Sequence, residues 1–322
     1  MAISTAIIGL GIMGRRMLEH MLLHPEYNVT GFWDPDPAAC DTAHAMAPHV
    51  PLSPDAQSAI ASADLVYLAC PPVPRKAYAL AAASTGKAVF LEKPLGVDIA
   101  ESHAMVEALE QAAVPAAVNF TQAAGDALTD VQAAARAGEL GQLVGADIIL
   151  TYAQWPRLWQ QEADWLRFAA EGGMTREVVS HFVFFAERVL GPLTLDWAVS
   201  DTPDGTDLCE TNVAARLSTG AGQHVTIMGS VGGAQPDRQE LTIKGSKTSR
   251  RISDFYRDAI SSGEAFQALG QEPLDPRAES LRAQLDDLAL LVAGKPNRLA
   301  TLDEALRVQI LIEGILAGKP KA

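Results

Sequence analysis

Residues 3–14 read Ile-Ser-Thr-Ala-Ile-Ile-Gly-Leu-Gly-Ile-Met-Gly, a short apolar run that leads directly into a glycine-rich loop. In a dinucleotide-binding loop with this spacing, Gly9 permits a tight turn, Gly11 lets the backbone approach a pyrophosphate, and Gly14 allows a helix to pack closely on a strand. The N–H groups at the start of that helix would face the phosphates. The alternative is a glycine-rich turn without a ligand. We assign five residues of this loop to a nucleotide-binding site: Gly9, Gly11, Ile12, Met13 and Gly14.

An acidic residue ends the second strand-like run, residues 29–33, and lies 20 residues after the last glycine of the loop. A carboxylate at Asp34 would accept hydrogen bonds from the ribose hydroxyls of adenosine and would repel a 2′-phosphate. The next three residues, Pro35-Asp36-Pro37, include no Arg or Lys that could bind such a phosphate. The pattern therefore favours NAD, with NADP as the alternative cofactor. A turn carboxylate without a ligand is the other interpretation.

Strand-like and helix-like segments alternate over the first 120 residues. Apolar runs such as residues 65–70 and 88–91 are separated by helices of about ten residues, and such connections indicate a parallel sheet. After Phe120 the apolar runs become longer and alternate with polar residues, as half-buried antiparallel strands do. We therefore expect an α/β protein with a nucleotide-binding domain at residues 1–120 and a strand-rich domain at residues 121–322.

A lysine stands directly after the buried run 88–91, in the tripeptide Glu92-Lys93-Pro94. Open α/β sheets place their chemistry at the carboxyl ends of their strands. A lysine is strongly hydrated and costly to bury, but beside a cofactor it can act as an acid or base, with Glu92 orienting it. The alternative is an exposed Glu-Lys pair in a loop. We assign Glu92 and Lys93 to the cofactor site, together with Pro71, which halts the run 65–70.

A second candidate site lies in residues 172–181. If a helix begins near Thr175, then Glu177 and His181 lie four residues apart and share one face. A carboxylate beside an imidazole can position and polarise a hydroxyl or carbonyl group. The alternative is a partly buried histidine with a glutamate that only stabilises the helix.

Aromatic residues are concentrated shortly before this helix. Trp155, Trp159 and Trp165 are three of the five tryptophans and fall within eleven residues, with Arg157 among them. Flat aromatic faces near polar groups suit a sugar or polyol ring. Packing in a core or an interface is the more usual role of tryptophan and is the alternative here.

The composition excludes several classes of protein. The net charge of −14 argues against a nucleic-acid surface, which needs a basic face. Three scattered cysteines form no disulfide or zinc pattern, so we expect a reducing compartment and no metal site. No apolar run approaches the roughly 18 residues of a membrane helix, and the first residues lack the basic region of a signal peptide. We expect a cytoplasmic protein that binds neither nucleic acid nor membrane.

Taken together, these motifs resemble those of the Gfo/Idh/MocA oxidoreductases, the family of glucose–fructose oxidoreductase and inositol dehydrogenase. The resemblance covers essentially the whole chain and implies a Rossmann domain followed by an α/β domain with a large open sheet, here mostly antiparallel. In the family that sheet often forms the face of a dimer or tetramer, so a homodimer or homotetramer is expected. The matching segments are residues 9–14, 86–94, 138–141, 172–181 and the last two predicted helices, 277–293 and Leu302–Ala317.

The resemblance also implies a reaction. Hydride would pass between a nicotinamide cofactor and a secondary alcohol or ketone of a sugar, cyclitol or related polyol. Lys93, with His181 beside it, would handle the hydroxyl proton, and Glu177 would help to hold the substrate. The residues expected to contact the substrate are Lys93, Trp155, Arg157, Thr175, Arg176, Glu177 and His181.

Departures from the family pattern surround the expected substrate pocket. They are Glu177 in place of Asp, Val179 in place of Gly, Arg75 in place of His, and Gln122 in place of Arg. These changes bear on the identity of the substrate more than on the fold. Thr175 and Arg176 could be substrate contacts peculiar to this subgroup. An acidic group of the substrate could pair with Arg157 or Arg176.

Other functions remain open at this stage. An NAD-dependent enzyme that cleaves glycosides and a non-catalytic regulator that senses the nucleotide can both be built on this fold. A β-hydroxyacid dehydrogenase has a similar glycine loop, but its second domain is all-helical, whereas the second half of this sequence is rich in strand-like runs and the tripeptide Glu92-Lys93-Pro94 is present.

Overall fold

The computed structural model describes residues 2–270 and 274–320. The chain forms two compact units, the first made of Met1–Thr121 with Ala278–Leu306 and the second of Gln122–Arg277 with Arg307–Ala322. The sequence led us to expect one boundary, with residues 121–322 entirely in the second domain. The structure differs at the carboxyl end, where a segment of the chain belongs to the first unit.

Five parallel strands form the sheet of the first unit. They are β1 (Ile3–Ile8), β2 (Tyr27–Trp33), β3 (Leu65–Leu68), β4 (Ala88–Glu92) and β5 (Ala116–Asn119). Their order across the sheet is β2-β1-β3-β4-β5. All residues of β3 and β4 are buried, as in a parallel sheet that is covered on both faces. The parallel sheet expected from the sequence is confirmed.

Helices connect these strands. They are α1 (Ile12–Leu23), α2 (Pro37–Met46), α3 (Ala56–Ala61), α4 (Pro72–Ser84) and α5 (Ile99–Ala112). The sequence analysis did not predict α2, although its start carries two standard signals. The side chain of Asp36 accepts a hydrogen bond from the backbone N–H of Ala38 at 2.9 Å, and Pro37 occupies the first turn.

The strand register brings the carboxyl ends of the strands to one edge of the sheet. Ile8 pairs with Leu68, and Leu68 pairs with Leu91. Glu92, the last residue of β4, pairs with Asn119, the last residue of β5. The residues that follow these strands therefore lie along a common edge.

An eight-stranded sheet organises the second unit. Its strands are β6 (Leu143–Tyr152), β7 (Leu193–Asp201), β8 (Asn212–Thr219), β9 (His224–Val231), β10 (Arg238–Gly245), β11 (Ser249–Ser253), β12 (Arg257–Ser261) and β13 (Gln267–Ala268). Their order is β13-β12-β11-β10-β6-β9-β8-β7, and β6 and β9 are parallel while the other neighbours pair antiparallel. The large, mostly antiparallel sheet implied by the resemblance is confirmed. The sequence did not predict β12 and β13, because both are short and carry few apolar residues.

The remaining helices are α6 (Asp126–Arg136), α7 (Ser180–Leu190), α8 (Pro276–Val292) and α9 (Leu302–Ala317). The apolar face of α8 explains why the chain re-enters the first unit, because Leu281, Leu285 and Leu288 are buried in that unit's core. Two polar contacts fix the helix there. The hydroxyl of Tyr27 donates to the carbonyl of Leu285 at 2.5 Å, and the hydroxyl of Ser280 donates to the carbonyl of Thr121 at 2.8 Å.

Over the residues that the structure describes, none of the helices combines the length and the apolar character needed to cross a membrane.

Candidate functional site

The glycine loop has the geometry that its spacing predicts. Gly9 has φ +96°, and a Cβ at this position would lie 2.5 Å from the backbone nitrogen of Cys70. A Cβ on Gly14 would lie 1.8 Å from the carbonyl oxygen of Gly9, so helix and strand could not pack as they do. A Cβ on Gly11 would meet no atom within 4 Å. Two glycines therefore serve packing, and the third leaves open space where a pyrophosphate could approach the backbone.

Helix α1 begins with Ile12 and Met13, and no side chain caps its first turn. The N–H groups at an uncapped helix start carry a partial positive charge and can bind an anion. The loop and this helix start together fit the diphosphate of a dinucleotide.

Asp34 fixes the loop to the end of β2. One carboxylate oxygen accepts from the backbone N–H of Leu10 at 2.6 Å, and the other accepts from the N–H of Asp36 at 2.8 Å. Each oxygen of a carboxylate can accept more than one hydrogen bond, so acceptor positions remain for ribose hydroxyls. Asp34 is half-buried at the same sheet edge as the glycine loop.

Glu92 is held rigidly at the end of β4. It is 6% exposed, and one of its oxygens accepts from the Asn119 side-chain amide at 2.6 Å and from the Tyr67 hydroxyl. Burial raises the pKa of Glu92, while these hydrogen bonds and the charge of Lys93 act in the opposite direction. Lys93 follows it, partly exposed, and its bond to Pro94 is cis. The buried network fixes the backbone from which Lys93 projects.

Arg75 is buried in the first turns of α4, where the family usually has histidine. Its guanidinium donates to the carbonyl of Cys70 at 2.6 Å and to the carbonyl of Pro94. Pro71 lies between Cys70 and the start of α4. Arg75 therefore joins the segment after β3 to the segment that contains Lys93. The sequence singled it out as a departure but could not show this linking role.

In the second unit, Glu177 lies in a turn of π-helix, Thr175–Val179, that leads into α7. Its carboxylate accepts from the side-chain amide of Gln160 at 3.1 Å and lies 3.9 Å from the guanidinium of Arg157. The sequence predicted a single helix from residue 175 to residue 190. A π turn widens the spacing of side chains and is frequent at functional sites.

Arg157 is enclosed by aromatic rings and is 8% exposed. Its guanidinium carbon lies 5.5 Å from the ring of Tyr152, 5.7 Å from Trp155 and 4.7 Å from Trp159. Its Nε donates to Gln160 at 2.8 Å. The structure thus joins Trp155, Arg157 and Glu177 in one cluster. The sequence missed Tyr152 and Gln160, which complete it, because neither belongs to a recognisable motif.

Thr175 and Arg176 do not have the geometry expected of substrate contacts. Thr175 is fully buried, and its N–H donates to Glu210 at 2.6 Å. Arg176 forms two hydrogen bonds with Glu313, at 2.6 and 2.7 Å, and donates to the carbonyls of Ala169 and Gly172. These contacts neutralise and bury the guanidinium, so we reassign both residues to support of the π turn.

His181 is the second residue of α7 and is 4% exposed. Its ring meets Phe255 edge-on at a centroid distance of 5.3 Å. Gln122, another departure from the family pattern, donates to the carbonyl of Phe255 at 3.1 Å. Val179 is fully buried.

No group of three or more His, Cys, Asp or Glu side chains in the described part of the chain could hold a metal ion.

The amino-terminal part of the chain is similar to a known family. Residues 3–120 match the family model of the Gfo/Idh/MocA oxidoreductases, described as an oxidoreductase family with an NAD-binding Rossmann fold. No curated protein sequence matches the chain.

Solved structures match the fold over nearly the whole chain. An oxidoreductase from Agrobacterium radiobacter, in complex with NAD+, L-tartaric acid and magnesium, has a TM-score of 0.84 at 16% identity and covers 97% of this chain and 95% of its own. A putative myo-inositol dehydrogenase from Sinorhizobium meliloti has a TM-score of 0.80 at 16% identity and covers 100% of both chains. The WlbA dehydrogenase from Bordetella pertussis, in complex with NADH and UDP-GlcNAcA, has a TM-score of 0.81 at 18% identity and covers 97% and 94%. At these identities the likeness establishes a shared fold.

Proposed function

We propose that this chain, whose residues 3–120 match the family model of the Gfo/Idh/MocA oxidoreductases, transfers hydride between NAD and a secondary alcohol or ketone of a sugar, cyclitol or related polyol. The observation that carries the proposal is Lys93, which follows a buried strand of an NAD-binding Rossmann unit and projects from a backbone fixed by Glu92. The reactive group of a cofactor bound to such a unit lies at this edge of the sheet.

In this reaction each of the assigned residues would have a distinct role. Lys93 accepts the hydroxyl proton as the alcohol is oxidised and returns it when the ketone is reduced. In the second unit, His181 would orient a hydroxyl of the substrate, and Glu177 would accept a hydrogen bond from another hydroxyl. The glycine loop and Asp34 would hold the NAD cofactor, which would supply a hydride acceptor at this edge of the sheet. Asp34 binds the adenosine ribose and disfavours NADP.

The substrate class is supported by the aromatic cluster and by the related structures. Trp155 and Trp159 pack on Arg157, close to the polar side chains of Gln160 and Glu177, and a mixture of aromatic and polar groups suits a polyol. Among proteins with this fold, one is described as a putative myo-inositol dehydrogenase and one was crystallised with the sugar nucleotide UDP-GlcNAcA.

We also propose that the chain assembles through the outer face of the eight-stranded sheet. Val199 pairs with Ala214, Ala214 with Met228, and Met228 with Ile149, so these side chains form a row on one face. Met228 and Val199 are more than half exposed, and an apolar row of this kind favours association. Light scattering of the purified protein should report a dimer or tetramer. The three cysteines are buried and form no disulfide, as expected for a protein that functions in the reducing environment of the cytoplasm.

A substrate panel tests the function directly. Purified protein is incubated with NAD and polyols, neutral sugars or sugar acids, and the formation of NADH is followed by absorbance. We expect saturable reduction of NAD with at least one of these classes. NADH that binds tightly, with no turnover in either direction across the panel, would contradict the proposal and would favour a sensing role.

A further inference from the structure

Two arginine side chains lie against the ring of Trp159. The guanidinium carbon of Arg157 is 4.7 Å from the ring centroid, and that of Arg277 is 5.0 Å from it. Arg157 is buried, whereas Trp159 is 41% exposed and Arg277 is half-buried. Trp159 and Arg277 therefore form the solvent-facing part of the aromatic cluster.

The arginines of this region differ in how their charge is compensated. Arg157 faces Glu177, Arg167 pairs with Asp164, and Arg176 is held by Glu313. In the described part of the chain, no carboxylate forms an ion pair with Arg277, and its recorded contact is the indole face. A chain with 39 acidic and 25 basic residues has carboxylates in excess. Among the described residues, Arg277 is thus the arginine of this cluster that pairs with no carboxylate, which makes it available to an anion from outside.

The stacked arrangement prepares Arg277 for that role. An aromatic ring contacts the flat face of a guanidinium, while the N–H donors point outward from its edge. Stacking thus orients the side chain without using its donors. A planar fork of N–H groups matches a carboxylate or phosphate and can bind it with two parallel hydrogen bonds.

Contacts link this position to the residues assigned to the substrate. Trp159 stacks on Arg157, and the guanidinium of Arg157 lies 3.9 Å from Glu177. Because Glu177 already faces Arg157, a substrate anion would not be drawn to that buried arginine. The sequence suggested Arg157 or Arg176 as its partner, and the contacts of both argue for Arg277 instead.

We propose that Arg277, held against Trp159, binds an oxyanion carried by the substrate, so that the preferred substrate is an acidic sugar or polyol. This inference rests on the proposed function and names the substrate class of the same site. A carboxylate and a phosphate ester share the required chemistry.

Paired ligands test the inference on the enzyme–NADH complex. Calorimetry compares glucuronate and galacturonate, glucose 6-phosphate and galactose 6-phosphate with their neutral parents, glucose and galactose. We expect at least one acidic ligand to bind about tenfold more tightly than its parent, as a charged hydrogen bond contributes. A preference limited to the uronates would identify the anion as a carboxylate, and one limited to the sugar phosphates would identify it as a phosphate ester. Absence of any acidic preference across the panel would overturn the inference.

Variants then locate the preference. Arg277→Gln should remove the discrimination between acidic and neutral ligands, and Arg277→Lys should retain part of it because the charge remains without the planar fork. Arg282→Gln, an exposed position on the same helix with the same loss of charge, is the matched control and should keep the preference. A preference that survives Arg277→Gln unchanged would place the anion elsewhere. Melting temperature and NADH affinity verify that each variant is folded.

The two proposals can fail separately. Oxidation of neutral polyols that is indifferent to Arg277→Gln would leave the dehydrogenase function standing and remove the anion site. Acidic ligands that bind through Arg277 without any hydride transfer would support the anion site and contradict the dehydrogenase function.

Discussion

The phenyl ring of Phe255 lies edge-on against the imidazole of His181, with centroids 5.3 Å apart and an interplanar angle of 87°. Phe255 belongs to the turn between β11 and β12, where Asp254 and Phe255 have φ values of +49° and +69°. Left-handed backbone is rare for a residue as bulky as phenylalanine and is maintained only where its surroundings impose it. Gln122 supplies part of that restraint through the Phe255 carbonyl. The turn therefore holds an aromatic ring against a proposed active-site histidine.

Shortening this ring should affect turnover more than binding. In Phe255→Leu the apolar volume is largely kept, but the edge-on contact that limits rotation of the His181 ring is lost. We expect kcat to fall by about tenfold, since a misplaced catalytic group lowers the rate steeply, with KM nearly unchanged. Phe266→Leu is the control, because that ring packs under Arg251. An equal loss in both variants would indicate a general effect on the sheet.

Replacement of Lys93 should remove the chemistry and spare the cofactor. Lys93→Met keeps the length of the side chain but has no proton to exchange, so kcat should fall by about a hundredfold or more. NADH affinity, measured by fluorescence titration, should change little, because Asp34 and the glycine loop remain. Lys87→Met, just before the other end of β4, is the matched control and should retain activity. A normal kcat for Lys93→Met would remove Lys93 from the mechanism.

Asp34 should determine the choice of cofactor. Asp34→Asn removes the negative charge that repels a 2′-phosphate, and it leaves only one oxygen for the N–H groups of Leu10 and Asp36. NADH affinity should therefore fall and NADPH affinity should rise, which shifts their ratio by about tenfold or more. Asp41→Asn, an exposed change of charge on α2, should leave the ratio as it is. Tighter binding of NADPH than NADH by the unmodified protein would refute this role.

The nucleotide-binding half could be predicted because its signals are local. The positive φ of Gly9 and the close approach of Gly14 to the Gly9 carbonyl arise within a few residues of chain, and the spacing to Asp34 is fixed by one strand–helix–strand unit. The return of α8 to the first unit could not be predicted. A row of leucines on a helix shows that one face is buried, but it does not show which part of the protein covers that face. Leu281 and Leu285 needed the core of the first unit to define their place.

The same limit applies to the candidate sites. Residue type placed Arg75, Thr175 and Arg176 near a pocket, but their roles depend on which carbonyls and carboxylates reach them in the fold. Glu313 lies 137 residues beyond Arg176 in the chain, and no sequence pattern connects the two. Gln160 was missed for a similar reason, since its contact with Glu177 spans a loop without a motif.

Glu92 should give the protein a characteristic dependence of stability on pH. Burial raises its pKa in the folded state, so the folded protein binds its proton more tightly than the unfolded chain. The stability contributed by this proton is fully present below the unfolded pKa and is lost as pH rises through the raised pKa.

Glu92→Gln remains neutral and keeps an acceptor for Asn119 and Tyr67. The urea midpoint of the native protein should therefore fall relative to that of Glu92→Gln as pH rises from about 4 toward neutrality. Glu107→Gln, an exposed change on α5, should show no such divergence. A difference between native protein and Glu92→Gln that stays constant over this range would mean that Glu92 keeps the same affinity for its proton in both states.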